Sequence, residues 1–182
     1  MSDATKPNFK KTLNLPKTDF PMRANLRQNE QASCKRWDSE QLYESLVDAR
    51  SDCDPFVFHD GPPYANGAIH IGHMMNKILK DIVVRTQAME GRSCPYVPGW
   101  DCHGLPIEHK VMTELLEKGK LDKINQLEPG PRSMAIRRAC RTYAEKQQKE
   151  QSKQMQRLLT LADYEHPYLT MNPGYEQAVL EG

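Results

Sequence analysis

The most constraining feature of this chain is a long amphipathic helical pattern between two short apolar segments. From about Gly72 to Ala88, apolar residues recur with the 3.6-residue period of a helix, and Gly91 follows as a stop signal. The residues of this stripe are Met75, Ile78, Leu79, Ile82 and Val83. The pattern predicts a helix of about four to five turns. The helix is amphipathic.

Two short apolar segments flank this helix and favour strands. Pro55–Phe58 precedes it and Cys94–Val97 follows it, each bounded by turn-forming residues. A wholly apolar run of this length is typical of a strand that is buried on both faces. Strand, helix and strand in one short stretch form a βαβ unit with parallel strands. The predicted fold class is therefore α/β with a parallel sheet, and because two strands alone are marginal, we expect further strands.

The rest of the chain divides into an N-terminal arm and further helices. Residues 1–37 are predicted to form an extended arm, because periodicity is weak until a helix that begins near Asp38 as its cap. Residues 38–182 are assigned to the domain that holds the βαβ unit. Further helices are predicted over residues 107–117 and 133–161. The last of these is rich in Lys and Arg, which fits either contact with RNA phosphates or a solvated face.

Two loops of unusual composition follow the two predicted strands. Residues 59–73 read HDGPPYANGAIHIGH, and residues 98–106 read PGWDCHGLP. Because ligands bind at the carboxyl edge of parallel sheets, we expect both loops to line one crevice. The helix that starts near Ile71 points its free N–H groups and positive dipole end at that crevice, which favours a nucleotide phosphate. Neither GxGxxG nor GxxxxGK[ST] occurs, so the phosphate contacts must come from other groups.

Three side chains in these loops are candidates for chemistry. His70 and His73 lie on one side of the first helical turn and can stabilise the charge that grows on phosphate oxygens during phosphoryl or nucleotidyl transfer. Asp101, beside Trp100, could bind an ammonium group or only stabilise an Asx turn. Each loop alone is also compatible with a plain connection and solvated histidines. The two loops at one sheet edge favour a nucleotide site.

Composition and short motifs bear on localisation and on metal binding. The net charge is +1, no run of about 18 apolar residues occurs, and the N-terminus lacks the apolar segment of a secretory signal. We therefore expect a cytoplasmic protein with no membrane contact. The five cysteines are scattered without a CxxC pair, and HExxH is absent. We expect no metal-ligand set in this chain.

Three blocks of the sequence resemble one family of enzymes. HIGH at residues 70–73, preceded by PYANG, resembles the first signature of the class I aminoacyl-tRNA synthetases. The blocks HDGPPYANGAIHIGHMMNKILKDIVVR, PYVPGWDCHGLPIE and TLNLPKTDFPMRANL are together similar to the isoleucyl-tRNA synthetases. The methionyl enzymes are similar around HIGH alone, and they are the nearest alternative. A small nucleotidyltransferase with another substrate would also share only the HIGH loop.

The resemblance implies a role for each matching residue. Gly61, Pro62 and Asp101 would hold the amino acid, with Asp101 accepting its α-ammonium group. His70 and His73 would act on the phosphates as pyrophosphate leaves. The ATP site would comprise Pro63, Tyr64, Ala65, Asn66, Gly67, His70, Ile71, Gly72 and His73. ATP would bring Mg²⁺, held largely by phosphates and water. Any zinc would belong to a C-terminal part outside this chain.

The resemblance also implies a fold, a reaction and partners. The fold would be the N-terminal, HIGH-containing half of a Rossmann-type parallel sheet, ending near an editing insertion. The enzyme, expected to be a monomer, would join L-isoleucine to tRNA(Ile) through an isoleucyl-adenylate, with release of AMP and diphosphate from ATP. The second family signature, KMSKS, does not occur in this chain. We therefore expect the 182 residues to be a fragment that is inactive alone, or at most a nucleotide- or RNA-binding remnant.

Overall fold

The computed structural model describes residues 12–14, 18–19 and 23–182. In this part of the chain, the helices are α1 Leu26–Ser39, α2 Leu42–Asp48, α3 Ile71–Met89, α4 Leu105–Glu117, α5 Leu121–Asn125, α6 Pro129–Arg157 and α7 Pro173–Glu181. The strands are β1 Gly99–Trp100 and β2 Tyr168–Leu169, which pair in parallel. The predicted α/β class with a parallel sheet is confirmed.

The main core forms where α4 and α6 pack around β1. Trp100 on β1, Ile107 on α4 and Met155 on α6 are fully buried at its centre. Gly99 cannot carry a side chain, because a Cβ at this position would overlap the ring of Tyr168 on the paired strand. Close packing of this kind fixes the backbone at the end of β1. The second unusual loop therefore starts from a rigid part of the molecule.

The central helix α3 is confirmed over Ile71–Met89, and the face that it buries carries charged residues. Met75 is 63% exposed and Leu79 is 57% exposed, whereas Lys77 and Asp81 are buried. The buried carboxylate of Asp81 accepts a hydrogen bond from the Leu161 N–H at 2.8 Å and pairs with Arg85. Buried charges are tolerated when they are paired in this way. Most of the apolar stripe is therefore exposed in the described part of the chain.

The two predicted strands do not form as strands in the structure. The two segments are joined by a single parallel bridge between Pro55 and Ser93, in which the Phe56 N–H donates to Ser93 O at 2.8 Å. The parallel direction is as predicted, but neither segment is assigned as a strand. The ladder cannot continue regularly, because Pro95 has no N–H to donate. Burial on both faces is wrong as well, since Val57 is 87% exposed.

The N-terminal region differs from the predicted extended arm. The part of residues 1–37 that carries most of this prediction lies outside the described residues, but from Leu26 onward the chain is the helix α1. Asp38 lies in the last turn of α1 instead of capping a helix start. The break comes at Gln41, whose φ of 45° is left-handed and separates α1 from α2. The guanidinium of Arg85 lies 5.2 Å from the ring of Trp37, a cation–π contact that holds α1 against α3.

The remaining predicted helices are confirmed with shifted ends. The helix predicted over residues 107–117 is α4, which begins at Leu105 with Pro106 in its first turn. The helix predicted over residues 133–161 is α6, which begins at Pro129 and ends at Arg157. Proline fits a first turn because its missing N–H would have no helical partner there.

Candidate functional site

The loop that precedes α3 lies directly against the loop that begins at β1. The N–H of Asp101 donates to Pro63 O at 2.9 Å, and the N–H of Ala65 donates to Asp101 O at 2.8 Å. These hydrogen bonds form a parallel bridge between Tyr64 and Asp101. The predicted adjacency of the two loops is therefore confirmed.

Two histidines form a reciprocal cap at the start of α3. His70 is the N-cap with extended backbone, and its Nδ1 accepts a hydrogen bond from the Gly72 N–H at 3.1 Å. His73 Nδ1 accepts a hydrogen bond from the His70 N–H at 3.3 Å. N–H groups that would lack a partner at a helix start are thereby satisfied. The ring centroids lie 4.0 Å apart, so the two imidazoles present one continuous surface.

The cap also fixes which ring nitrogens can donate. A ring nitrogen that accepts a hydrogen bond carries no proton, so the neutral rings hold their protons on Nε2. Burial lowers the pKa of His73, and the neighbouring His70 and Lys77 side chains lower it further. His73 is therefore neutral at pH 7 and offers one N–H donor. A neutral donor of this kind can bind a phosphate oxygen or a developing negative charge.

A cavity of about 620 Å³ opens beside the histidine cap. The predicted site residues that line it are Gly61, Pro62, Pro63, Tyr64, Asn66, His70, Gly72 and His73. Its volume falls in the usual range for small-molecule sites, so a nucleotide can be accommodated. The cavity therefore brings together most of the predicted ATP site and the predicted amino-acid wall.

The other predicted site residues do not line this cavity. Ala65 is fully buried in the main core, and Ile71 is 72% exposed at the start of α3. Gly67 has a φ of 86°, a left-handed conformation that glycine adopts without strain. The structure thus gives Ala65 and Gly67 a part in shaping the loop. Contact between these residues and ATP stays a prediction.

Asp101 also lies outside the lining, and it stabilises a turn. Its Oδ1 accepts hydrogen bonds from the His103 N–H at 3.2 Å and from the Thr170 hydroxyl at 3.4 Å. The first bond makes the Asx turn that the sequence left open as an alternative. A carboxylate has further lone pairs for other donors. The ammonium-binding role of Asp101 stays a prediction beside this structural one.

Gln151 on α6 anchors the loop, and sequence analysis missed it. The side chain is fully buried. Its Nε2 donates to Tyr64 O at 2.9 Å and to Gly67 O at 2.8 Å, while its Oε1 accepts from Trp100 Nε1 at 3.0 Å. All the hydrogen-bonding groups of this amide face the loop or β1. Gln151 lies on the same face of α6 as the buried Ala144 and Met155. This spacing could have indicated a buried position, but a glutamine does not count as part of an apolar stripe.

Further polar residues of α3 line the cavity and were also missed. Asn76, Lys77 and Lys80 follow His73 at three, four and seven residues. Residues at these spacings share one face of a helix. The helical period that revealed the apolar stripe could therefore have revealed this polar face. The cavity lining includes no carboxylate and combines imidazoles with two lysines.

Several basic residues of α6 line a cavity or pair with carboxylates of the protein. Arg137, Arg138 and Arg141 help to line a second cavity of about 610 Å³ beside Cys102. Arg141 also pairs with Glu145, within the same helix. The structure thus gives part of this basic face protein partners, and contact with RNA phosphates stays a prediction.

The described residues contain neither a cluster of metal ligands nor a helix that could span a membrane. Among those residues, no group of three or more His, Cys, Asp or Glu side chains is placed to hold a metal ion. None of their helices combines the length and apolar character needed to cross a membrane.

Most of the chain, including the whole site described above, is similar in sequence to known proteins. A family model described as tRNA synthetases class I (I, L, M and V) matches residues 32–182. The chain is 52% identical over 172 residues to the isoleucine–tRNA ligase of Desulfotalea psychrophila, covering 94% of this chain and 18% of that protein. It is 50% identical over 175 residues to that of Kosmotoga olearia, covering 96% and 18%. It is 51% identical over 172 residues to that of Nitrosococcus oceani, covering 94% and 17%. The chain thus spans less than a fifth of the length of these curated relatives.

Proposed function

Because the chain belongs to the class I tRNA synthetases (I, L, M and V), we propose that it carries the HIGH-containing part of an isoleucine–tRNA ligase. The observation that carries this proposal is the paired histidine cap, His70 and His73, at the wall of a cavity of about 620 Å³. A helix start with two imidazole side chains favours phosphate, and the Gly-Pro turn beside it gives an amino acid a rigid wall.

The choice of isoleucine is supported by two kinds of observation. The relatives described above are each named isoleucine–tRNA ligase and match nearly all of this chain. The segment from Pro98 to Pro106 and the arm before α1 resemble the isoleucyl subgroup and depart from the methionyl enzymes. A methionyl-type synthetase is therefore the second candidate, supported by the HIGH loop alone.

The geometry supports a division of work in adenylate formation. In that reaction, the amino-acid carboxylate attacks the α-phosphorus of ATP, an acyl-phosphate bond forms, and pyrophosphate leaves. Gly61 and Pro62 form the wall for the amino acid. Nε2–H groups of His70 and His73 bind the phosphate oxygens, where they are most useful as negative charge moves onto the leaving pyrophosphate. Asp101 is proposed to accept the α-ammonium group.

The wider assignment follows the family. Residues 38–182 are proposed as the first half of a Rossmann-type catalytic domain, up to the connection with an editing domain, with residues 1–37 as an arm before it. The substrates are ATP, L-isoleucine and tRNA(Ile), and the enzyme acts as a cytoplasmic monomer. Mg²⁺ enters with ATP and is held by phosphates and water, which fits a cavity lining without carboxylates.

Isoleucine-dependent ATP–pyrophosphate exchange tests the proposal. A full-length ligase that contains residues 1–182 is expected to exchange with isoleucine and not with methionine. Exchange with methionine alone would replace the isoleucyl assignment by the methionyl one. The same assay on the 182-residue chain is expected to give no exchange, because KMSKS does not occur in it. Exchange by the isolated chain would contradict that expectation.

A further inference from the structure

A charged cluster lies behind the wall of the cavity and joins it to α3. Asp60, immediately before the Gly61–Pro62 turn, is only 4% exposed. One of its carboxylate oxygens accepts a hydrogen bond from Lys77 Nζ, and the other accepts one from Lys80 Nζ. The hydroxyl of Tyr96 donates to Asp60 Oδ2 at 2.8 Å. A single buried carboxylate therefore connects the wall of the proposed amino-acid site to two turns of α3.

The cluster carries a surplus positive charge. Burial alone would raise the pKa of Asp60, but the hydrogen bonds from Lys77, Lys80 and Tyr96 hold it below its ordinary value, so the carboxylate is ionised. Burial and the adjacent Asp60 raise the pKa of Tyr96, so its hydroxyl stays neutral. Among the ion pairs of the described residues, neither lysine has a second carboxylate partner. Two ammonium groups against one carboxylate leave a net charge of +1.

The two lysines differ in their access to the cavity. Both line it, together with His70 and His73. The side chain of Lys77 is only 7% exposed, whereas that of Lys80 is 28% exposed. Lys77 is thus enclosed by its partners, whereas part of the Lys80 side chain is exposed at the cavity wall. A unit charge at a partly desolvated wall acts on an anion much more strongly than one in bulk water.

We propose that Lys80 is a further residue of the nucleotide site, held in place by Asp60, and that its charge attracts and positions the polyphosphate of ATP. This inference rests on the proposed function, because it takes ATP as the ligand of the cavity. Lys77 acts differently: it neutralises the buried Asp60 and positions α3 relative to the Gly61–Pro62 turn.

Kinetics of Lys80→Gln in the full-length ligase test this inference. The KM for ATP in pyrophosphate exchange is expected to rise about tenfold, with the KM for the amino acid unchanged. The melting temperature should change little, because Lys77 still neutralises Asp60. Lys80→Arg keeps the charge and is expected to restore most of the affinity for ATP. The matched control is Lys118→Gln, which removes a lysine paired with Glu114 on α4, and it should leave both KM values unchanged.

The possible outcomes separate this inference from the proposed function. An unchanged KM for ATP in a folded Lys80→Gln enzyme would overturn it, as would a parallel rise of both KM values with a lower melting temperature. Exchange with a different amino acid would remove the isoleucine assignment and still leave the KM for ATP to decide the role of Lys80. If the enzyme shows no exchange, titration with the β,γ-imido analogue of ATP decides instead: about tenfold weaker binding by Lys80→Gln supports the inference, and equal binding overturns it.

Discussion

Replacing His73 by alanine is expected to lower kcat for isoleucine-dependent ATP–pyrophosphate exchange by about 10²- to 10³-fold, the usual effect of removing one donor to a developing charge. The pKa of His73 is lowered by burial and by the neighbouring His70 and Lys77 side chains, so the wild-type ring is a neutral donor. The substitution removes that donor. It also removes the acceptor for the His70 N–H, so His70 loses part of its orientation.

The two consequences can be separated by a second substitution. His73→Asn retains a side-chain oxygen that can accept from the His70 N–H and so preserves the cap. If transition-state stabilisation requires the imidazole, His73→Asn loses almost as much kcat as His73→Ala while the melting temperature is largely retained. The control is His166→Ala, because the side chain of His166 is 79% exposed and pairs with Asp163 away from the cavity. A His73→Ala enzyme with kcat within about threefold of wild type would contradict the role assigned to this ring.

Replacing Gln151 by methionine is expected to destabilise the folded chain by about 3–5 kcal/mol. The two side chains are similar in size, but methionine would leave Trp100 Nε1 and the carbonyls of Tyr64 and Gly67 without their partner. An unsatisfied buried group costs about 1–3 kcal/mol. Trp100 Nε1 is such a group, and the two carbonyls, whose hydrogen bonds are half-buried, fall toward the lower end of this range. For a chain of this length, such a loss corresponds to a fall in melting temperature of roughly 6–20 °C.

The matched control for Gln151 lies on the same helix. Gln156 is exposed and donates only to the hydroxyl of Ser152, so Gln156→Met should change the melting temperature by no more than about 2 °C. Hydrogen exchange adds local information: in Gln151→Met, the amides of residues 64–69 should exchange faster than in wild type. Equal melting temperatures and equal exchange in the two variants would show that Gln151 does not anchor the loop.

Much of the site framework could be predicted from the sequence because its signals are local. The helical period and Gly91 located α3 to within one residue at each end. The Gly- and Pro-rich composition of residues 59–73 marked the loop. The rule that parallel strands place their carboxyl ends together predicted that this loop meets Asp101, which the hydrogen bonds confirm. These inferences need only neighbouring residues and one topological rule.

The errors arise where long-range partners decide the outcome. The periodicity of α3 shows that one face is apolar, but it cannot show that Lys77 and Asp81 find buried partners at Asp60 and Leu161. The hydrophobic pattern alone therefore does not identify the buried face. The predicted strands failed for a related reason, since a ladder depends on its partner segment as well as on apolar composition.

Gln151 and Lys80 could not be predicted as site residues for the same physical reason. Gln151 lies 84 residues or more from both loop carbonyls that it binds. Lys80 lies 20 residues from the carboxylate that holds it. A single sequence does not show which distant residues come into contact in the fold. An isolated glutamine or lysine on a helix is usually solvated. Their roles follow only from the three-dimensional packing.

The most direct test of the proposed site is hydrogen exchange in the full-length ligase with a non-hydrolysable adenylate analogue, 5′-O-(N-isoleucylsulfamoyl)adenosine. The backbone amides of residues 61–73 are expected to exchange more slowly when the isoleucyl analogue is bound. The methionyl analogue at the same concentration should change their exchange little. Saturating binding of the isoleucyl analogue that leaves residues 61–73 unprotected would contradict the assignment of this cavity as the adenylate site.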